Sequence, residues 1–554
     1  MMQQVYTSVG KCSRAGIVTA VLVLFGLLQT YAQTTIETAK QYVVTNAGTH
    51  NLTAPDVNGA IVSSAYQSPT TGWYHVYFNQ AYQSVEIYNR LMSVVLVDSQ
   101  VAYLTHNFIP RIDFVSKKGS LKGLITPLSA LQKAVANLGL NQASLTTIRE
   151  LITTKLTDGT LTQSVFSIPA LSDEKINVKL YWLPVEVDQK GQKQIEKLAL
   201  TWNVRFLTKD AQKGWNIHVD AASGDIVQKT DDVIHCNFGG PHQVSRSSVG
   251  HASRDQVRYF GQDKVSFVAN SYTVFDYPLE SPNHGSRTGS VNPSGTGPST
   301  TNGWHNDGTT NYLTTRGNNV WAQEDTTDID SIGYSPTSVT KEFNYPYTLG
   351  LNTASSNQNA AITNLFYWNN LLHDVLWKFG FDEPSGNFQN NNRGRGGLGN
   401  DFVYADAQDG GSTNNANFYP PPDGINGRMQ MYLWTIPTTY QADGDFDNGI
   451  IAHEYAHGWS TRLTGGPANS SCLQNAEQGG EGWSDYLALM LTTNWSSLSA
   501  TVASANIPRG IGTYAIGEPT TGIGIRNYAY SYDMANVNGA VTVLAQYGRL
   551  CYGI

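Results

Sequence analysis

The stretch DNGIIAHEYAHGWSTRLTGG, Asp447 to Gly466, sets two histidines four residues apart with a glutamate directly after the first. Asp447 or Asn448 can cap a helix there, and Gly465, Gly466 and Pro467 end it. Four helical residues turn about 400° and rise about 6 Å, so His453 and His457 project from one face, one turn apart. That spacing lets both imidazoles grip one ion. Glu454 falls on the neighbouring side, within reach of a water on that ion without becoming a ligand. A random chain with 12 histidines in 554 residues shows the pattern roughly once in a hundred cases, so a third ligand is needed to make the case.

That ligand is expected on a second helix. In GGEGWSDYLALML an acidic residue opens an amphipathic segment, and Glu481 and Asp485 stand four apart. Glu481 can complete a His, His, Glu set, while Asp485, one turn along, can hydrogen-bond a ligand imidazole. Glu477 competes for the ligand role, and without the histidines both acids would read as ordinary charges at a helix N-terminus. Two nitrogens and a carboxylate favour zinc over calcium or magnesium, which take all-oxygen shells. Zinc lowers the pKa of a bound water from about 15.7 toward 7, and Glu454 is placed to take that water's proton and deliver it to a leaving amine. Amide hydrolysis is the chemistry these parts perform. A separate acidic run, DGDFDN, offers Asp443, Asp445 and Asp447 to calcium or forms a capped, solvated turn.

The rest of the chain supplies the setting. Residues 1–32 contain Lys11, Arg14 and a short apolar block before Thr30 and Ala32, the pattern of a cleaved secretory leader rather than of a span, which needs about 20 apolar residues. No membrane span is expected once the leader is removed. Net charge is −8 and no long Lys/Arg run occurs, which argues against nucleic acid as a partner. From 33 to 232 the text runs with period two, as in WYHVYFNQAYQSVEIYNRLMSVVLV and LALTWNVRFL, predicting antiparallel sheets with helices such as LSALQKAVANLGL. No ligand cluster interrupts that region, so alone it reads as a binding or regulatory module. From 233 to 554 the composition turns to Gly, Asn, Ser, Thr and Tyr, with a long helix NAAITNLFYWNNLLHDVLWKFGF whose His373 is read as a packed structural residue. Cys236 and Cys472 are candidates for a disulfide or for two free thiols.

HEYAHGWSTRLTGGPANSSCL followed by GEGWSD resembles the fungalysin family of secreted zinc metalloproteases, relatives of thermolysin. FDEPSGNFQNNNRGRGGLGNDFVYADAQDG and TNNANFYPPPDGINGRMQMYLW extend the likeness across about His373 to Asp485. The resemblance implies an α+β chain: a β-rich propeptide, then a thermolysin-like metalloprotease domain with two active-site helices. It implies a secreted endopeptidase precursor acting on protein or peptide substrates, with His453, His457 and Glu481 as zinc ligands and Glu454 as base. It makes Asn415 and Ala416 the edge-strand residues that pair with substrate backbone. It also turns the first region into a propeptide that holds the enzyme inactive.

The tail departs from the pattern. No histidine follows His457, and GAVTVLAQYGRLCYGI is unlike the helix expected after YSYDM. Codon degeneracy permits a shifted-frame reading of Ala540 to Ile554 that resembles that helix, so a frame slip near 538–540 is expected to have replaced a C-terminal helical half that is largely missing. As written, the chain is expected to hold zinc and show little or no proteolysis. The alternative is an inactive truncated relative whose zinc site is structural and whose pro-region is a binding or inhibitory module.

Overall fold

The computed structural model describes residues 33–530 apart from 116–119, 141–147, 190–191, 236–269, 292, 295–296, 351, 474–478, 496–507 and 528. The leader, Cys236, Glu477 and the tail that bears on the frame-slip expectation lie outside the described residues. Among the described residues no helix is long and apolar enough to cross a membrane.

The period-two text folds into a ten-stranded sheet. Its main path runs Ile61–Gln67, Tyr74–Tyr82, Val85–Val97, Ile176–Gln189, Gln192–Leu207, Gly214–Asp220 and Ile226–Asp231, with side pairings by Gln100–His106, Arg149–Lys155 and Leu161–Ser167. Hairpins make nearly every pairing antiparallel; the exception joins two meanders side by side at Ile87 and Trp182. Alternation buries one face, including Trp182, Trp202, Val204 and Val219. The helix Pro127–Asn137 seals that core with Ala130, Leu131, Ala134 and Val135, and its start is fixed by the Thr126 hydroxyl accepting from Ser129 N.

Between Asp231 and Ile234 the chain passes into a second, mixed sheet. Its core strands are β1 (Val320–Glu324), β2 (Val403–Thr413), β3 (Ala416–Tyr419) and β4 (Arg428–Trp434). The order is Ile234–His235, β3, β4, β2, β1, with Ala442–Asp443 also on β4. Helix α1 (Ala354–Lys378) packs on this sheet and buries Phe366, Trp368 and Leu372. His373 on α1 is fully buried, with its ring nitrogens against Asp374, Asn387 and Gln389. It is a packed polar residue away from any ligand set, among the described residues.

Two further helices, α2 (Asn448–Gly465) and α3 (Gly479–Thr492), lie against one another. The Asp447 carboxylate caps α2 by accepting from Ile450 N. Near its other end, the fully buried Arg462 donates to the Asp401 carboxylate at 2.7 Å and to the carbonyls of Gly386, Pro421, Pro422 and Ile425. Gly466 then ends the helix at φ 80°, where a Cβ would lie 2.8 Å from the Tyr77 ring of the first sheet. That contact is one of several between the two sheets' regions. The Ser68 hydroxyl donates to Asp382 at 2.6 Å, the Tyr77 hydroxyl to Leu463 O at 2.9 Å, and the Asn89 amide to Ser471 O at 3.0 Å.

Candidate metal centre

Helix α2 presents His453 and His457 on one face, with ring centroids 4.7 Å apart and planes nearly perpendicular. Both residues are 1% exposed. Helix α3 brings Glu481 to them: Glu481 Oε2 lies 3.2 Å from His453 Nε2, and Oε1 lies 3.8 Å from His457 Nε2. One ligand atom from each of the three residues falls within 4.8 Å of the other two. Donors spaced in this way fit a single ion with metal–nitrogen and metal–oxygen bonds of about 2.0–2.2 Å. Glu454 is fully buried on the same helix.

The outer nitrogens of both rings are held. Asp485 Oδ1 lies 2.6 Å from His453 Nδ1, and the Ser484 hydroxyl lies 3.4 Å from His457 Nδ1. These contacts leave Nε2 of each ring directed to Glu481. Asp485 is in turn fixed by Arg526, which donates from Nε at 2.7 Å and Nη2 at 2.9 Å, and by the Tyr530 hydroxyl. Arg526 Nη2 also reaches Glu481 Oε2 at 3.4 Å.

Charge follows this geometry. Burial disfavours ionised Asp485, but Arg526 and His453 overcome it and hold the carboxyl far below the usual range. Burial likewise opposes the His453 imidazolium; Asp485 and then Glu481 more than offset it and push its pKa up to about 9. His457, whose burial is offset far less, falls to about 3. Glu481 is held down at about 2 against its own burial by the two histidines and Arg526.

Asp443, Asp445 and Asp447 do not form a cluster able to hold an ion among the described residues. Asp443 accepts from Asp445 N and from Gln408, and Asp447 caps α2. Asn415 precedes β3 and Ala416 begins it, paired with Met431 of β4. On the other side of β3, Ile234 pairs with Phe418 and His235 with Asn417. The Asn415 side-chain oxygen is buried with no hydrogen-bond partner among the described residues. Among the described residues Cys472 is a free thiol; it lies beside Gly465 and burial raises its pKa to about 12. Arg526 and Tyr530 were not singled out from the sequence. They lie 41 and 45 residues beyond Asp485 in irregular structure, where no period marks them.

Residues 271–547 match the family model described as fungalysin metallopeptidase (M36). The chain is 39% identical over 368 residues to Extracellular metalloproteinase 3 of Arthroderma otae, covering 64% of this chain and 51% of that protein. It is 34% identical over 515 residues to Extracellular metalloproteinase MEP of Neosartorya fischeri, covering 91% and 69%. It is 44% identical over 278 residues to Extracellular metalloproteinase mep of Aspergillus fumigatus, covering 49% and 42%. The chain thus spans between about two fifths and two thirds of the length of these curated relatives.

Proposed function

The chain belongs to the fungalysin metallopeptidase family, and from that premise we propose that it is the precursor of an extracellular zinc endopeptidase acting on protein or peptide substrates. The observation that carries this reading is the convergence of His453, His457 and Glu481, each donor within 4.8 Å of the others, beside the buried Glu454. His453, His457 and Glu481 are the residues that would hold the zinc. When bound, zinc supplies Lewis acidity, lowering the pKa of water and polarising a peptide carbonyl.

The chain's own residues do the rest. Glu454 takes the proton of the attacking water and passes it to the leaving amine, so one carboxylate serves as base and then acid. Asp485 keeps the His453 ring oriented, and Arg526 keeps Asp485 ionised. Asn415 and Ala416 offer backbone and side-chain polar groups to an extended peptide laid along β3.

The region 33–232 acts as a propeptide and intramolecular inhibitor. Its supporting observation is that Ile234–His235, joined directly to its last strand, pairs antiparallel with Phe418 and Asn417 on the strand that an extended substrate would use.

The test compares the purified chain with Glu454→Gln, measuring zinc per chain and cleavage of a quenched fluorescent peptide after the pro-region is removed. Both proteins should bind about one zinc, and whatever cleavage the purified chain shows above background, however slow, should be at least about 100-fold slower in the variant. Absence of zinc overturns the reading. Zinc binding with equal, background cleavage in both would assign the site a structural role.

A further inference from the structure

A second ligand cluster lies apart from the histidines. Asp325 and Asp330 sit in the loop after β1, and Asp406 and Asp409 on β2; one carboxylate oxygen of each falls within 4.8 Å of those of the other three. All four residues are at most 5% exposed. Oxygens on opposite sides of a calcium ion at about 2.4 Å are about 4.8 Å apart, so the spread matches one such ion.

The hydrogen bonds at the cluster do not use up its acceptors. Asp325 accepts from the backbone N–H groups of Ile329 and Asp330. Asp406 accepts from Gln323 at 3.0 Å and from Arg428; Asp409 accepts from Gly411 N at 2.7 Å and Gln430 at 2.9 Å. Asp330 accepts through Oδ1 from Arg428 at 3.2 Å and Gln430 at 3.0 Å. Its Oδ2 is buried with no hydrogen-bond partner among the described residues. Arg428 is the one cation ion-paired with these carboxylates among the described residues, so a single positive charge faces four acids. Buried charges left in such excess are strongly unfavourable unless another cation joins them.

We propose that Asp325, Asp330, Asp406 and Asp409 bind a calcium-sized divalent cation that ties the loop 325–330 to β2 and, through Gln430 and Arg428, to β4. An all-oxygen donor set selects a hard ion such as calcium and not zinc. Burial pushes Asp409 up to about 8, and does the same at Asp330 with only partial relief from Arg428; a bound dication returns both to the ionised form. The site would stiffen the sheet that carries β3. Gln430, which holds Asp330 and Asp409, also accepts from Asn417 of β3 at 2.9 Å.

The experiment uses the zinc-loaded full chain, freed of other divalent ions and dialysed against radiolabelled calcium chloride. One calcium per chain is expected beside the zinc, with a higher Tm at about 1 mM calcium. Asp330→Asn and Asp409→Asn should each bind calcium at least about tenfold more weakly while keeping one zinc. No calcium uptake by the wild-type chain, or unchanged affinity in both variants, overturns the proposal. A measurement that needs no variant to fold is a terbium soak of wild-type crystals. An anomalous peak among the four carboxylates supports the site; a map without one there overturns it.

Discussion

Asp485 works by its charge: fully buried, it takes His453 on one side and Arg526 and Tyr530 on the other. Replacing it with asparagine keeps the shape and removes the charge that orients the ring. The Asp485→Asn chain is expected to bind zinc about 10–100-fold more weakly, read by competition with a chromophoric chelator. The same charges set a pH dependence. In the metal-free chain His453 keeps its proton up to about pH 9, because Asp485 and Glu481 favour the imidazolium. Zinc requires the neutral ring, so binding displaces one proton below that pH. Apparent zinc affinity should therefore rise about tenfold per pH unit between about 7 and 9 and then level off. Calorimetry in two buffers of different ionisation enthalpy measures the released proton, and a flat profile would contradict the assignment. At this scale the sequence was informative where chemistry repeats at helical spacing. The spatial grouping of His453, His457, Glu481 and Asp485 was legible because a spacing of four residues places side chains on one helix face, and an acidic helix start suggested the neighbouring helix. Arg526 was not, since only the folded chain carries it back to Asp485.

The helix α2 reads as a metal-binding segment, yet Gly458 inside it has a purely steric reason. A Cβ there would lie 2.6 Å from the Phe388 ring and 2.9 Å from Phe418 of β3. Glycine thus lets the helix settle against the Phe388 ring and β3. In open helix a Gly→Ala change stabilises by about 1 kcal/mol; here overpacking should reverse the sign and cost about 1–3 kcal/mol. A lower Tm for Gly458→Ala checks this, and an unchanged or higher Tm would show that Phe388 yields freely. Element type was largely legible for the first region, because alternation and tight turns specify hairpins locally. A tight turn over DAASGD, residues 220–225, joins Gly214–Asp220 to Ile226–Asp231 in this way. The parallel join of Ile87 with Trp182 and the two-residue strand Ile234–His235 were not legible, because neither has a local pattern and both depend on distant partners. The Asp325, Asp330, Asp406 and Asp409 cluster escaped for the same reason: about 80 residues separate its halves, and parallel pairing of β1 with β2 unites them.

Across the whole molecule, the first sheet's grip on the second rests on buried polar groups that acid can reach. His218 is 1% exposed, with its ring nitrogens 2.9 Å from the Thr201 hydroxyl and 3.1 Å from the Asn203 amide. Asn203 meets Asn216, which donates to Asp232 and, at 3.4 Å, to the Ser471 hydroxyl in the segment after α2. Arg205 pairs with Asp232 at 2.6 Å in the same network. Burial pushes the His218 pKa down to about 3, whereas the unfolded chain's histidine titrates near 6.5. The unfolded state therefore takes up the proton first as pH falls. Stability from this group is complete above about pH 6.5 and is lost progressively down to about pH 3, by an amount on the order of several kcal/mol. His305, stacked on Phe366 at 4.7 Å and likewise lowered to about 3 by burial, gives the second region a loss of the same sign. His218→Gln removes one of these titrations without touching the other. Hydrogen exchange in strands Gln192–Leu207 and Gly214–Asp220, followed from pH 7 to pH 4, should show a shallower loss of protection in the variant. Exchange around His305 should keep its slope. Because Gly214–Asp220 pairs with Ile226–Asp231, the strand that leads into the Ile234–His235 pairing on β3, acid is expected to loosen residues 33–232 from that strand, and the variant to delay that release. Equal slopes in both strands and both proteins would mean that some other group governs the response to acid.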